Sequence, residues 1–277
     1  KRYIKLLNDI PEIKIDNIVA ITFTRKAASE MKDRIRKEIE VMCKVDSEKE
    51  KWMEFRNSLS FANIDTIHGF CEKIIRDNFA DAGVDPLFTI IDEAESNTAV
   101  HNIVRWIVDE ALNDPVNKDL LKIMFKKYPS KIVVNGKFEA ELISLMNRIK
   151  ETGLRIDDVK LYEGEEYDES TKAMELLTVR IIKKIDEEYD RFKKERNLLD
   201  FNDLEIAALK LLSDDSKRDS YFERYKYILV DEFQDINQIQ KRIILKLAEK
   251  NGVIPDGRLF IVGDYKQSIY GFRGTDY

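Results

Sequence analysis

Apolar and polar positions along this chain follow two regimes. At Ile18-Val19-Ala20-Ile21-Thr22-Phe23, Tyr227-Ile228-Leu229-Val230 and Leu259-Phe260-Ile261-Val262 the apolar residues run almost unbroken and favour β-branched or aromatic side chains. Short runs of this kind suit strands buried on both faces of a parallel sheet. Phe61-Ala62-Asn63-Ile64 and Leu87-Phe88-Thr89-Ile90-Ile91 are briefer strand candidates. Elsewhere the apolar residues recur every three or four positions, the helical period. Residues 1–10 read as a helix with Ile4, Leu7 and Ile10 on one face, ended by Pro11. Thr24 is placed to cap a helix running to about Cys43, with Ala28, Met31, Ile35 and Ile39 as its apolar stripe. After Asp65-Thr66 a helix turns Ile67, Phe70, Ile74 and Ile75 inward. The cluster Asp200-Phe201-Asn202-Asp203 opens another with Leu204, Ala208 and Leu211 along its face, followed by short helices near 217–225 and from Ile236 to Lys250.

From Asp92 to Arg196 the pattern is almost all helix, roughly 95–112, 117–127, 138–150 and 169–196, broken by turns at Pro115 and Pro129 and an acidic loop at 157–168. A block of this length is the size of a small helical domain, and it carries no chemical motif. Strands and helices alternate on either side of it. The pattern therefore predicts a helix-rich α/β protein: one parallel sheet flanked by helices, split in sequence into 1–91 and 198–277, with an all-helical domain at 92–197 inserted.

At 277 residues the chain has room for two cores. Ten glycines and five prolines are too few for turn-rich β structure. The net charge of −6 argues against nucleic acid at first sight, but nine acids against three bases between 151 and 175 account for all of it. Basic residues gather instead at Arg25-Lys26 and along Lys32, Arg34, Arg36 and Lys37, a local face suited to phosphates. Cys43 and Cys71 have no C-x-x-C neighbour and read as buried, reduced thiols in a cytoplasmic protein. Two distant histidines and no cysteine pair disfavour zinc. No apolar run nears the ~18 residues of a membrane span, so no membrane partner is expected. The start Lys-Arg-Tyr, without Met, reads as a piece of a longer chain.

The chemistry centres on Val230-Asp231-Glu232-Phe233-Gln234-Asp235. Acids at the carboxyl end of a parallel strand face the crevice where α/β sheets bind ligands. An NTPase uses such a pair to hold Mg²⁺ and orient a water. The same stretch also reads as a strand running into a solvated acidic turn, and alone it does not separate the two. His68, at a helix start, reads as a surface or capping residue or as a contact to a backbone phosphate; His101 lies in a plain amphipathic helix.

Four segments each follow a predicted strand and so fall on one sheet edge: TFTRKAASEM (22–31), TIHGFC (66–71), VDEFQD (230–235) and VGDYKQSIYGFRG (262–274). Their order and content resemble the UvrD/Rep/PcrA family of superfamily 1 DNA helicases. Asp264-Tyr265-Lys266-Gln267, Phe272 and the run DFNDLE (200–205) look closer to the AddA/RecB helicase–nuclease branch. The resemblance covers roughly 1–91 and 198–277; the helical block matches only by position, as that family's inserted domain 1B.

The resemblance implies a P-loop NTPase (RecA-like) motor domain 1A, ATP and Mg²⁺ as cofactors, and 3′→5′ DNA translocation in repair or recombination. It implies Asp231 as the Mg²⁺ holder, Glu232 as the residue polarising the attacking water, and Gln267 and Arg273 as γ-phosphate contacts, with Gln234 and Asp235 linking the nucleotide to neighbouring motifs. Single-stranded DNA and single-strand/duplex junctions would be the partners, with bases on Phe23, Tyr270 and Phe272 and backbone contacts from Thr24, Arg25, Thr66 and His68. A second helicase–nuclease subunit is a further implied partner; no nuclease motif lies in the chain. Many members carry Trp where Phe272 stands, and Thr275 replaces the usual Ala. The P-loop G-x-x-x-x-G-K-[ST] is not in these residues: Gly136-Lys137 has Phe after it and no glycine five before. Residues 1–10 then read as the end of the helix after a P-loop, and the 277 residues alone are expected to hydrolyse ATP negligibly. A non-catalytic DNA- or partner-binding module with the motor's fold, and an unrelated Mg²⁺-dependent NTPase, are the competing readings.

Overall fold

The computed structural model describes residues 1–45, 47–127, 137–154, 156–160 and 168–264. In chain order the strands are β1 (Ile18–Thr22), β2 (Asn63–Thr66), β3 (Thr89–Ile90), β4 (Leu198–Leu199), β5 (Tyr227–Val230) and β6 (Leu259–Ile261). The helices are α1 (Arg2–Asp9), α2 (Arg25–Val45), α3 (Lys49–Ser58), α4 (Ile67–Asp77), α5 (Phe79–Ala82), α6 (Glu93–Asn113), α7 (Pro115–Lys127), α8 (Lys137–Glu151), α9 (Glu169–Glu195), α10 (Phe201–Ser213), α11 (Asp215–Arg224) and α12 (Gln238–Ala248). They fall into two compact units, Lys1–Pro86 with the stretch from Asp203 onward, and Leu87–Asn202.

The first unit is built on a parallel sheet of order β2-β1-β5-β6. All five residues of β1 are buried, as its unbroken apolar run requires. From β1 the chain moves outward to β2; from β5 it moves outward in the other direction to β6. The winding therefore reverses between β1 and β5, the place where open α/β sheets form a crevice at their carboxyl ends. Ile18, Ala20 and Ile64 of the sheet share a core with Leu6 and Leu7 of α1, Ile35 and Ile39 of α2, and Trp52 and Phe55 of α3. Burying each large apolar side chain is worth about 1.5–3 kcal/mol. The start of β6 is held by buried Arg258, which donates to Phe222 O at 2.8 Å and Leu247 O at 3.3 Å and lies 3.5 Å over the Phe222 ring.

Two local expectations need correcting, and one helix had none. The buried face of α1 is Tyr3, Leu6 and Leu7, while Ile4 and Ile10 are only half-buried. Strand β2 runs 63–66 rather than 61–64: Leu59–Phe61 is a 3-10 turn that leaves Phe61 exposed, and pairing with β1 continues to Thr66 opposite Thr22. Helix α3 had no sequence expectation at all, because only Trp52 and Phe55 of its ten residues are buried.

In the second unit, helices α6 to α9 enclose their own core, including Val104, Ile107, Leu142, Ile181, Ile182 and Ile185. Asp92 and Asp168 cap α6 and α9 by accepting from Glu95 N and Thr171 N at 2.8 and 2.6 Å. Strands β3 and β4 pair in parallel with each other, so the strand expected at 87–91 belongs to this unit and not to the four-stranded sheet. Lys193, 3% exposed, is matched by Asp200 at 3.0 Å and Asp190 at 3.3 Å and sits over the Tyr189 ring.

Candidate functional site

Because all four strands of the first unit are parallel, their carboxyl ends share one edge. Three of the singled-out segments, and the first residues of the fourth, leave the sheet there. Asp231 extends the pairing by one residue, its N–H donating to Ile21 O at 2.9 Å. Its carboxylate accepts from Glu232 N at 3.2 Å. Glu232 is exposed and has a left-handed backbone (φ 54°). Residues with a Cβ seldom adopt that conformation, at a cost of about 1–3 kcal/mol, unless their surroundings impose it.

Those surroundings are visible. The Gln234 amide donates to Glu232 Oε2 at 2.6 Å, while its oxygen accepts from Asp264 N at 3.0 Å. Phe233 N donates to Val262 O at 2.9 Å. The end of β6 is thus tied to the turn carrying the acids. Gly263 permits this approach: a Cβ there would lie 2.5 Å from Gln234 Oε1 and 3.2 Å from Phe233 N.

A cleft of about 510 Å³ opens beside Asp231, walled by Ile21, Val230 and Val262 of the sheet and by Arg2 and Arg34. Arg2 lies 5.7 Å from the Phe260 ring centroid, and Arg34 pairs with Glu30 at 3.6 Å. Neither arginine was a candidate from sequence, although Arg34 belongs to the basic cluster that was. Among the described residues no three acids, histidines or cysteines come together as a metal cluster. Mg²⁺ does not need one, since it is commonly held by one or two carboxylates, water and phosphate. The oxygen donors of Asp231 and Glu232 fit such an ion.

At the end of β1, Thr24 caps α2 by accepting from Ala27 N at 3.1 Å, and Thr22 Oγ1 donates to Thr24 O at 3.1 Å. Thr24 and Arg25 are exposed and Phe23 is half-buried, so this turn presents a ring and a cation together. The end of β2 is different, because its two candidate residues also make internal contacts. Thr66 is 6% exposed, and its hydroxyl turns inward to accept from Gly69 N at 3.1 Å as the cap of α4. His68 Nε2 lies 2.9 Å from Glu205 Oε1, so one ring nitrogen is engaged with the interior while 30% of the side chain stays exposed at the edge. Glu205 is 3% exposed and also accepts from Gln240 Nε2 at 2.6 Å, with Asn237 Nδ2 at 3.5 Å from its other oxygen. Nearby Cys71 is fully buried, its thiol pushed up by burial and by the Glu205 carboxylate. Glu205, Asn237 and Gln240 were missed from sequence; the N-x-x-Q capping box at 237–240 was the available signal. Gln267, Tyr270, Phe272 and Arg273 lie outside the described residues.

A parallel sheet flanked by helices, with an acid pair ending a strand at the reversal of winding, defines a RecA-type α/β motor fold. The family model of the UvrD/REP helicase N-terminal domain matches residues 1–277, and the chain belongs to that family. It is 24% identical to an ATP-dependent helicase/nuclease subunit of Clostridium kluyveri, over 97% of this chain and 32% of the relative. The proteins of the same name in Listeria innocua and Staphylococcus aureus are likewise 24% identical, over 97% and 98% of this chain. The chain thus spans about a third of the length of these curated relatives. No helix among the described residues is long and apolar enough to cross a membrane.

Proposed function

We propose that the sheet unit, residues 1–86 and 203–277, acts as the first motor domain, and the helical unit, 87–202, as the inserted domain 1B, of a cytoplasmic ATP-driven DNA helicase. It would translocate 3′→5′ in repair or recombination, alongside a second helicase–nuclease subunit. The observation that carries this reading is the Asp231-Glu232 pair at the reversal of winding, over a cleft flanked by Arg2 and Arg34. In this reading Asp231 holds Mg²⁺ and Glu232 takes the proton of the attacking water. Bound Mg²⁺ supplies positive charge against the phosphate oxygens. Arg2 adds cationic charge to the cleft wall, where Arg34 is paired with Glu30, and Gln234 fixes the Glu232 carboxylate. Gln267 and Arg273 remain proposed γ-phosphate contacts.

For single-stranded DNA and its junctions with duplex, Phe23, Tyr270 and Phe272 are the proposed stacking rings, with Thr24 and Arg25 on the backbone. Thr66 and His68, at the cap and first turn of α4, remain proposed backbone contacts. The test is ATP hydrolysis by the full-length natural protein with and without oligo(dT), together with oligo(dT) binding by Phe23→Ala. Strong stimulation, and binding weakened by about 1–3 kcal/mol in the variant, is expected; hydrolysis indifferent to DNA overturns the reading. The 277-residue polypeptide by itself, which contains no glycine-rich phosphate cradle, is expected to show negligible turnover. Measurable DNA-stimulated turnover by it would overturn that part and leave the rest standing.

A further inference from the structure

We propose that Glu205 is a positioning residue that couples the DNA-facing start of α4 to the acid pair. The inference deepens the helicase reading and rests on it. A carboxylate 3% exposed must be compensated by hydrogen bonds or charge. The side chains that meet its oxygens come from other elements: His68 from the first turn of α4, and Asn237 and Gln240 from the start of α12. The two amides do double duty. Asn237 Oδ1 accepts from Gln240 N at 2.9 Å, and Gln240 Oε1 accepts from Asn237 N at 3.3 Å, closing the capping box that opens α12. Glu205 therefore orients the residues that fix where α12 begins.

The cap residue Asn237 lies two residues after the 3-10 turn Phe233–Asp235, whose Gln234 bonds the carboxylate of the left-handed Glu232. Contacts run from His68 through Glu205 to the cap at 237–240, the main chain through Ile236 joins that cap to the turn at 233–235, and Gln234 of the turn meets Glu232. A shift of α4's first turn on binding DNA would alter the partners of a buried charge. The cap of α12 would respond, and with it the turn that sets the Glu232 carboxylate. The element with two states is that turn, because a non-glycine backbone at φ 54° relaxes once its restraints loosen.

The experiment uses the full-length natural protein and reads two quantities: the ratio of saturating oligo(dT)-stimulated to unstimulated ATP hydrolysis, and the oligo(dT) concentration giving half the stimulation. Glu205→Leu is expected to lower the ratio about tenfold while half-stimulation moves less than about threefold, with Glu205→Gln recovering most of the loss. A network that serves only to hold the fold lowers the unfolding midpoint and leaves the ratio intact, and that result overturns the proposal. If Glu205→Leu does not fold, Gln240→Leu is read in the same way: a reduced ratio supports the coupling and an unchanged one overturns it. A natural protein that oligo(dT) does not stimulate at all overturns the helicase reading itself.

Discussion

The two units solve the burial problem differently, and the difference locates the chemistry. The helical unit closes a core around four long helices and spends its notable polar groups on itself: Asp92 and Asp168 on caps, Lys193 between two aspartates. The sheet unit cannot do this at its carboxyl edge. Parallel strands all end in the same direction, so Thr24, Asp231 and Glu232 emerge together, where they meet solvent and a cleft. Function gathers where a fold leaves polar groups aligned and not wholly satisfied.

The contrast can be tested from its strongest consequence downward. Glu232→Gln in the full-length protein should cut DNA-dependent ATP hydrolysis by about 10²–10⁴-fold, as loss of a general base does, measured as phosphate release. An equal loss from a core variant of the helical unit would break the division of labour. Ile182→Ala should instead destabilise that unit by about 2–5 kcal/mol in a denaturant titration, because it opens a cavity at a residue 1% exposed.

The sheet unit should show an alkaline weakness. Burial raises the Tyr225 phenol to about 12, and its hydroxyl has no hydrogen-bond partner among the described residues. Burial likewise raises Tyr3 above the ordinary tyrosine range. A raised folded-state pKa means that the stabilisation is complete below the unfolded value near 10 and is lost as pH climbs through the folded value. Thermal melts should therefore weaken between roughly pH 10 and 12, with about 2 kcal/mol from Tyr225 absent in Tyr225→Phe. The smallest effect belongs to the helical unit: Asp168→Ala should cost about 1 kcal/mol through loss of the α9 cap, read from the same melts.

Much of this was legible before the structure. β5 begins and ends where its apolar run does, and α9 follows its periodic stripe to within a residue. Failures came where local pattern and tertiary context disagree. Phe61 has strand chemistry but lies in a turn, since the ladder with β1 favours the more polar 63–66. α3 is too polar to announce itself and is held by two aromatic rings meeting edge to face at 5.6 Å. At the site, residue types gave the edge but not the interior wiring. Nothing in TIHGF says that the histidine looks toward Glu205, 137 positions away. Such pairings arise from how helices pack after the sheet has formed, which no local spacing encodes.

The left-handed turn at Glu232 narrows what this position can become. Glycine or asparagine would ease the backbone but carry no carboxylate. Aspartate eases it somewhat and keeps the charge, yet its acid ends one carbon sooner, short of the Gln234 amide that now holds it. Comfort of the main chain and reach of the side chain are opposed here, so sequence drift at 232 is confined by geometry even where the loss of stability would be tolerable.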